Sequence, residues 1–216
     1  MTVKTVHLAV FDTLADWEPA LAVAAVNDPQ YQREPGSLRV RTVALDREPV
    51  TTMGGVRILP DVELDELDPV DSGMLVLSGA HTWDRDEMRG PWARAARRFL
   101  DAGTPVAAMC GATFGLAAEG LLDERDHTGA AAQVLAATGY AGGGRYREAD
   151  AVRDRGLITA GPTDAVAFAR EILAELGAFS PAVLEAWHCL YSTGDPRYFS
   201  VLMEALAADR HAAVRA

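Results

Sequence analysis

Two cysteines occur in the chain, and their surroundings differ in kind. Cys110 follows a short apolar run, Val106 to Met109, and precedes Gly111 and a helical stretch from Ala112 to Glu119. Continuous hydrophobicity of that length marks a strand buried on both faces. A cysteine on the turn from such a strand into a helix occupies a nucleophile elbow, with sulfur where a serine hydroxyl often stands. Amides at a helix start favour thiolate over thiol, so this sulfur is expected to ionise well below the ordinary value of about 8.5. Gly111 permits a tight turn and leaves space over the sulfur. Cys189, within Ala186-Trp-His-Cys-Leu-Tyr191, lies on an amphipathic helix and reads as packing.

Other candidates fall at strand ends. Glu18 sits in the opening turn of the helix after the first strand, on the sheet edge that also carries Cys110, so the two meet if their strands are close. An ionised carboxylate would raise the cysteine, so a supportive Glu18 must be buried and protonated, donating a hydrogen bond to the sulfur. The alternative is a carboxylate that merely complements the helix dipole. Amides of Gly79, Ala80 and Gly111 are placed to form an oxyanion hole, or else Ser78 to His81 is a plain turn. His127 is the nearest histidine downstream of Cys110 and a candidate base, the alternative being a structural histidine. His81 is a weaker candidate, and His7, His188 and His211 read as structural. No His or Cys spacing suits a metal, and no cofactor motif is present: Gly142-Gly-Gly144 lacks the lysine and helix start of a phosphate loop.

The elements that hold these residues alternate strand and helix. Strands are expected at Lys4–Phe11, Leu38–Leu45, Gly73–Gly79 and Val106–Met109, with two more between Arg145 and Ala160 around Asp154-Arg-Gly156. A hairpin is expected around Met53-Gly-Gly-Val56. Helices are expected from Asp16, as N-cap, to Val26, at Pro91–Ala102, Ala112–Glu119, Ala131–Thr138 and Thr163–Leu176. This order predicts an α/β fold with a doubly wound, mostly parallel sheet, a flavodoxin-like three-layer sandwich. From residue 179 onward two apolar-rich helices, Pro181–Tyr191 and Tyr198–Ala208, form a helical hairpin. Residues 1–178 are thus read as the α/β domain, and 179–216 as an extension packed on it or on a second subunit.

A formal net charge of −11 argues against nucleic acid and anionic membrane as partners. No apolar run reaches the roughly 20 residues of a membrane span, and the N-terminus has no secretory layout. Two cysteines in unlike settings make a disulfide framework improbable, so a reducing cytoplasm is the expected location.

Several of these pieces together resemble the ThiJ/PfpI family of the class I glutamine amidotransferase-like superfamily. The carriers are Asp16-Trp17-Glu18, Leu75-Val-Leu-Ser-Gly-Ala80 with Trp83, Val106-Ala-Ala-Met-Cys-Gly-Ala-Thr113, Leu121-Leu-Asp-Glu-Arg-Asp-His-Thr128 and Gly161-Pro-Thr-Asp-Ala-Val-Ala-Phe168. The resemblance covers about residues 4 to 176, and the helical hairpin resembles an extension in one bacterial branch. It implies Cys110 as nucleophile, Glu18 as its protonated partner, amides from Gly79, Ala80 and Gly111, and a homodimer. It also implies a small-molecule substrate and a deglycase, glyoxalase, amidase or peptidase activity, or an oxidation sensor. Peptidase-like members place a histidine directly after the cysteine, where this chain has Gly111. Members with a later histidine carry it at the position of Ala130 rather than His127. The late His-x-Glu pair of true glutamine amidotransferases is missing near Gly161. The sequence therefore leads to a cysteine enzyme acting on a small electrophile, glyoxalase/deglycase-like or amidase-like, with a redox sensor based on Cys110 as the alternative.

Overall fold

A computed structural model describes residues 3–215. The first strand, β1 (Lys4–Ala9), is followed by α1 (Trp17–Asn27), β2 (Leu38–Ala44), a small hairpin of β3 (Val50–Thr51) and β4 (Arg57–Ile58), and β5 (Val62–Glu63). Two single 3-10 turns, Leu64–Glu66 and Pro69–Asp71, lead to β6 (Ser72–Leu77), α2 (Asp86–Asp101), β7 (Val106–Met109) and α3 (Gly111–Ala118). The chain continues through α4 (Ala132–Ala136), β8 (Ala151–Asp154), β9 (Leu157–Ala160), α5 (Ala165–Leu176), α6 (Pro181–Thr193) and α7 (Arg197–Arg215).

Seven strands form one sheet in the order β5-β2-β1-β6-β7-β9-β8, and only β8 runs antiparallel to its neighbour. The direction of strand addition reverses at β1, which is the doubly wound, flavodoxin-like plan expected from the sequence. Val6 and Leu8 share an interior with Ala22 and Val26 of α1 and Ile172 of α5. Helix α2 packs on β6 and β7 and on the 3-10 turn at Pro69. Helix α6 packs on α5, and α7 on α6. Trp187 of α6, buried, stands edge-on to Phe179, which in turn contacts Tyr31.

Two local expectations change, and one strand is added. Helix α2 begins at Asp86, five residues before the expected start, and Pro91 lies inside it. Met88 and Trp92, one turn apart and both buried, anchor that extra turn, while Asp86 and Glu87 complement its N-terminus. Asp16 precedes α1 as expected but makes no side-chain cap; its carboxylate turns to the β3–β4 hairpin instead. The edge strand β5, two residues long, is too short to show a pattern.

Candidate active site

Strands β1, β6 and β7 lie side by side, so the loops at their carboxyl ends converge. Cys110 follows β7 with φ 56° and ψ −121°, a conformation that costs a non-glycine residue about 1–3 kcal/mol. The elbow is held on both sides. The Cys110 amide donates to the Ala160 carbonyl at 3.1 Å, and its carbonyl accepts from the Thr113 amide at 3.0 Å and hydroxyl at 2.6 Å.

Glu18, in the first turn of α1, is 0 % exposed. Its Oε2 accepts the Gly79 amide at 2.5 Å, while the buried Oε1 has no hydrogen-bond partner among the described residues outside Cys110. β6 stands between the strands that carry Glu18 and Cys110, and contact across it depends on Gly79. A Cβ at that position would lie 2.8 Å from Glu18 Oε1 and 3.0 Å from Cys110 Sγ. The missing side chain is the space in which carboxyl and sulfur face each other.

Burial raises Glu18 above the usual carboxylate range, against opposing hydrogen bonds from Gly79 and Cys110. With Glu18 ionised, burial pushes the Cys110 thiol up, to about 12, helped by the charge and hydrogen bond of Glu18 and opposed by the Gly111 amide. This reverses the direction expected from the helix start alone. Two of the three causes that raise the sulfur are Glu18's, and its charge acts only while Glu18 is ionised. The pair thus holds at least one proton across the neutral range, and its chemistry depends on which group carries it.

The remaining sequence candidates separate. The Gly79 amide is committed to Glu18, which removes it from an oxyanion hole. The Ala80 amide has no acceptor among the described residues, and the Gly111 amide is directed at the sulfur. His127 is fully buried with both ring nitrogens engaged: Nδ1 donates to the Arg125 carbonyl at 2.8 Å, and Nε2 accepts from the Tyr140 hydroxyl at 2.9 Å. Burial lowers its pKa and so favours the neutral ring. The structure does not bring this imidazole to Cys110 with a free nitrogen. His81 is exposed, and its amide donates to Thr13 Oγ1.

Trp83 and the Asp12–Asp16 loop complete the surroundings. The Trp83 indole is buried, donates to the Ser78 carbonyl at 2.8 Å and covers Gly111, where a Cβ would come within 2.8 Å of it. Asp16 accepts from Thr52 Oγ1 at 2.5 Å and the Gly54 amide at 2.7 Å, tying the hairpin to the loop that leads into Glu18. Trp17, 54 % exposed, reaches from α1 to the Pro162 carbonyl.

The DJ-1/PfpI family matches residues 4–175, a span that includes Glu18, Gly79 and Cys110. The chain belongs to the DJ-1/PfpI family. It is 37% identical over 209 residues to the uncharacterized protease YoaZ of Bacillus subtilis (strain 168), which covers 95% of this chain and 99% of that one. A thiJ/pfpI family protein from Bacillus anthracis has 36% identity and a TM-score of 0.89, covering 95% of this chain and 98% of its own. A DJ-1 superfamily protein from Agrobacterium tumefaciens has 33% identity and a TM-score of 0.76, covering 89% and 100%. Family membership supports a cysteine-based enzyme or sensor at that coarse level. Among the described residues no three His, Cys, Asp or Glu side chains are grouped so as to hold a metal ion, and no helix is long and apolar enough to cross a membrane.

Proposed function

We propose that Cys110 and Glu18 form a one-proton pair in which Glu18 Oε1 carries the proton and Cys110 is the thiolate. The observation that carries this reading is the buried, otherwise unpartnered Oε1 facing the sulfur across Gly79. Glu18 is fully buried whereas Cys110 is only partly so and starts a helix, so the negative charge is better solvated on sulfur.

The proposed reaction is thiolate attack on a small electrophile, an α-oxoaldehyde or an amide, in a cytoplasmic homodimer. With an α-oxoaldehyde, the Sγ–C bond forms as the carbonyl oxygen takes a proton from Glu18, giving a hemithioacetal. The Ala80 amide stabilises charge on that oxygen as it develops, joined by the Gly111 amide once the sulfur has lost its charge to the new bond. Glu18, now ionised, removes the proton from the former aldehyde carbon and returns it to the neighbouring carbon, while the hemithioacetal hydroxyl proton passes to the neighbouring carbonyl oxygen, leaving the thioester of a 2-hydroxy acid. Water cleaves the thioester to a hydroxy acid and restores the pair. Peptide hydrolysis is disfavoured, because Trp83 fills the space a histidine at position 111 needs and His127 has no free nitrogen.

Turnover of methylglyoxal and of a chromogenic amide by purified protein tests the proposal. Activity on either that falls at least about a hundredfold in Cys110→Ala and Glu18→Gln is expected. Inactivity on both, with stoichiometric sulfinate at Cys110 after mild peroxide, favours the sensor reading, which the same half-buried sulfur and carboxyl donor support.

A further inference from the structure

The crossover from β2 to β6 contains no α-helix, and this leaves part of the sheet lightly covered. Alternation that turns Val6 and Leu8 towards α1 and α5 turns Thr5 and His7 to the opposite face. The parallel register sets Arg39 beside Thr5 and Arg41 beside His7, so a hydroxyl, an imidazole and two guanidinium groups share one patch. The two 3-10 turns cover it incompletely. A cavity of about 240 Å³ remains, with these four side chains and Ser72 on one side and Glu66, Asp68 and Asp71 on the other. Sheet faces of doubly wound proteins are ordinarily apolar. This one is not.

The cationic side makes no direct ion pair among the described residues, although the charge of Arg41 reaches Asp61 and Glu66 and helps to lower both carboxyls. Arg39 Nε donates to Thr5 Oγ1 at 3.0 Å and Arg41 Nη2 to the Asp61 backbone carbonyl at 3.2 Å. Among the described residues neither guanidinium forms an ion pair. Two of the acids opposite are occupied: Glu66 binds Arg47 and the Glu63 amide, and Asp68 caps the Val70 amide. Asp71 is the acid left on the rim. His7 is 7 % exposed, and its buried Nδ1 has no partner among the described residues. An orphaned buried nitrogen is less costly without its proton, which places the proton on Nε2 as a donor. Burial, with Arg41 and Arg39 adding repulsion, lowers His7 to about 4. An anion in the cleft would reverse that repulsion.

We propose that the cleft formed by Thr5, His7, Arg39 and Arg41 binds a phosphate-type oxyanion, either free inorganic phosphate or the phosphate of a monoester. Two guanidinium groups without a direct ion pair among the described residues and an imidazole N–H supply charge-assisted donors from two adjacent strands. The site lies towards the amino ends of β1 and β2, opposite the edge that carries Cys110, and does not depend on the thiol chemistry.

Calorimetry of the intact protein with inorganic phosphate and with phosphoserine, at low ionic strength and against matched chloride, tests it. Saturable binding with Kd below about 1 mM is expected, weakened at least about tenfold in Arg39→Gln/Arg41→Gln and unchanged in Cys110→Ala. Tighter binding of phosphoserine identifies a monoester site, and equal or tighter binding of phosphate a free-anion site. In the wild-type protein, where no substitution intervenes, the His7 imidazole should protonate at higher pH once phosphate is present, read by its NMR shift. Absence of saturable binding of both probes up to about 10 mM, or equal binding by the double variant, overturns the proposal.

Discussion

At the scale of single residues, the site is defined as much by missing side chains as by present ones. Gly79 provides the gap through which Glu18 faces Cys110, and its amide fixes one carboxylate oxygen so that the other points at sulfur. Gly111 leaves the room that Trp83 fills. Gly111→His, which installs the residue that peptidase-like relatives carry there, is therefore expected to displace the indole. Thermal unfolding should show a loss of about 1–3 kcal/mol, and peptidase assays should remain negative. That Cys110 and Glu18 face each other was legible in the sequence, because residue type and strand-end position announce it. The commitment of the Gly79 amide was not, since a backbone donor leaves no mark on composition. His127 illustrates the opposite case: proximity in the chain suggested a base, but Arg125 and Tyr140 satisfy both nitrogens, and no spacing rule anticipates that.

At the scale of elements, the β3–β4 hairpin is outside the main sheet yet laced to the loop before α1. The Thr13 amide donates to the Thr51 carbonyl, the Met53 amide to the Leu14 carbonyl, and the Thr51 amide to Asp12, while Asp16 takes Thr52 and Gly54. Asp16→Ala removes two charge-assisted bonds. It should cost about 1–3 kcal/mol and speed amide exchange at residues 50–58 more than in the sheet. The Thr52 hydrogen bond holds the Asp16 carboxyl below its ordinary value, with the Gly54 amide adding to it. Its contribution is full above the ordinary carboxylate range and fades as pH falls through the lowered folded value. Buried strands and amphipathic helices were readable from apolar pattern, and so was the hairpin from its glycines. The start of α2 was not, because Pro91 ordinarily marks a first turn and here the burial of Met88 and Trp92 outweighs that preference.

For the whole molecule, strand order does the positioning: β1, β6 and β7 are neighbours in space although α1, β2 and β5 intervene in the chain. The C-terminal helices join the same apolar core through Val183, Ala186, Trp187, Leu202 and Leu206. Trp187→Ala should lower stability by about 3–5 kcal/mol in denaturant unfolding, with one transition for the sheet and the helical pair. Tyr191, Phe199, Val201 and Met203 remain exposed on α6 and α7. A homodimer predicts a sedimentation mass twice the 23.1 kDa of the chain.

The pH dependence of Cys110 alkylation tests the central claim most directly, read by mass spectrometry in the wild type, Glu18→Gln and Glu18→Ala. A thiolate paired with a protonated Glu18 predicts a wild-type midpoint below about 8.5, little moved in Glu18→Gln, whose amide still donates, and raised in Glu18→Ala. A wild-type midpoint above that value, falling in Glu18→Gln, would mean that Glu18 keeps its charge and suppresses the thiolate. That result contradicts the account.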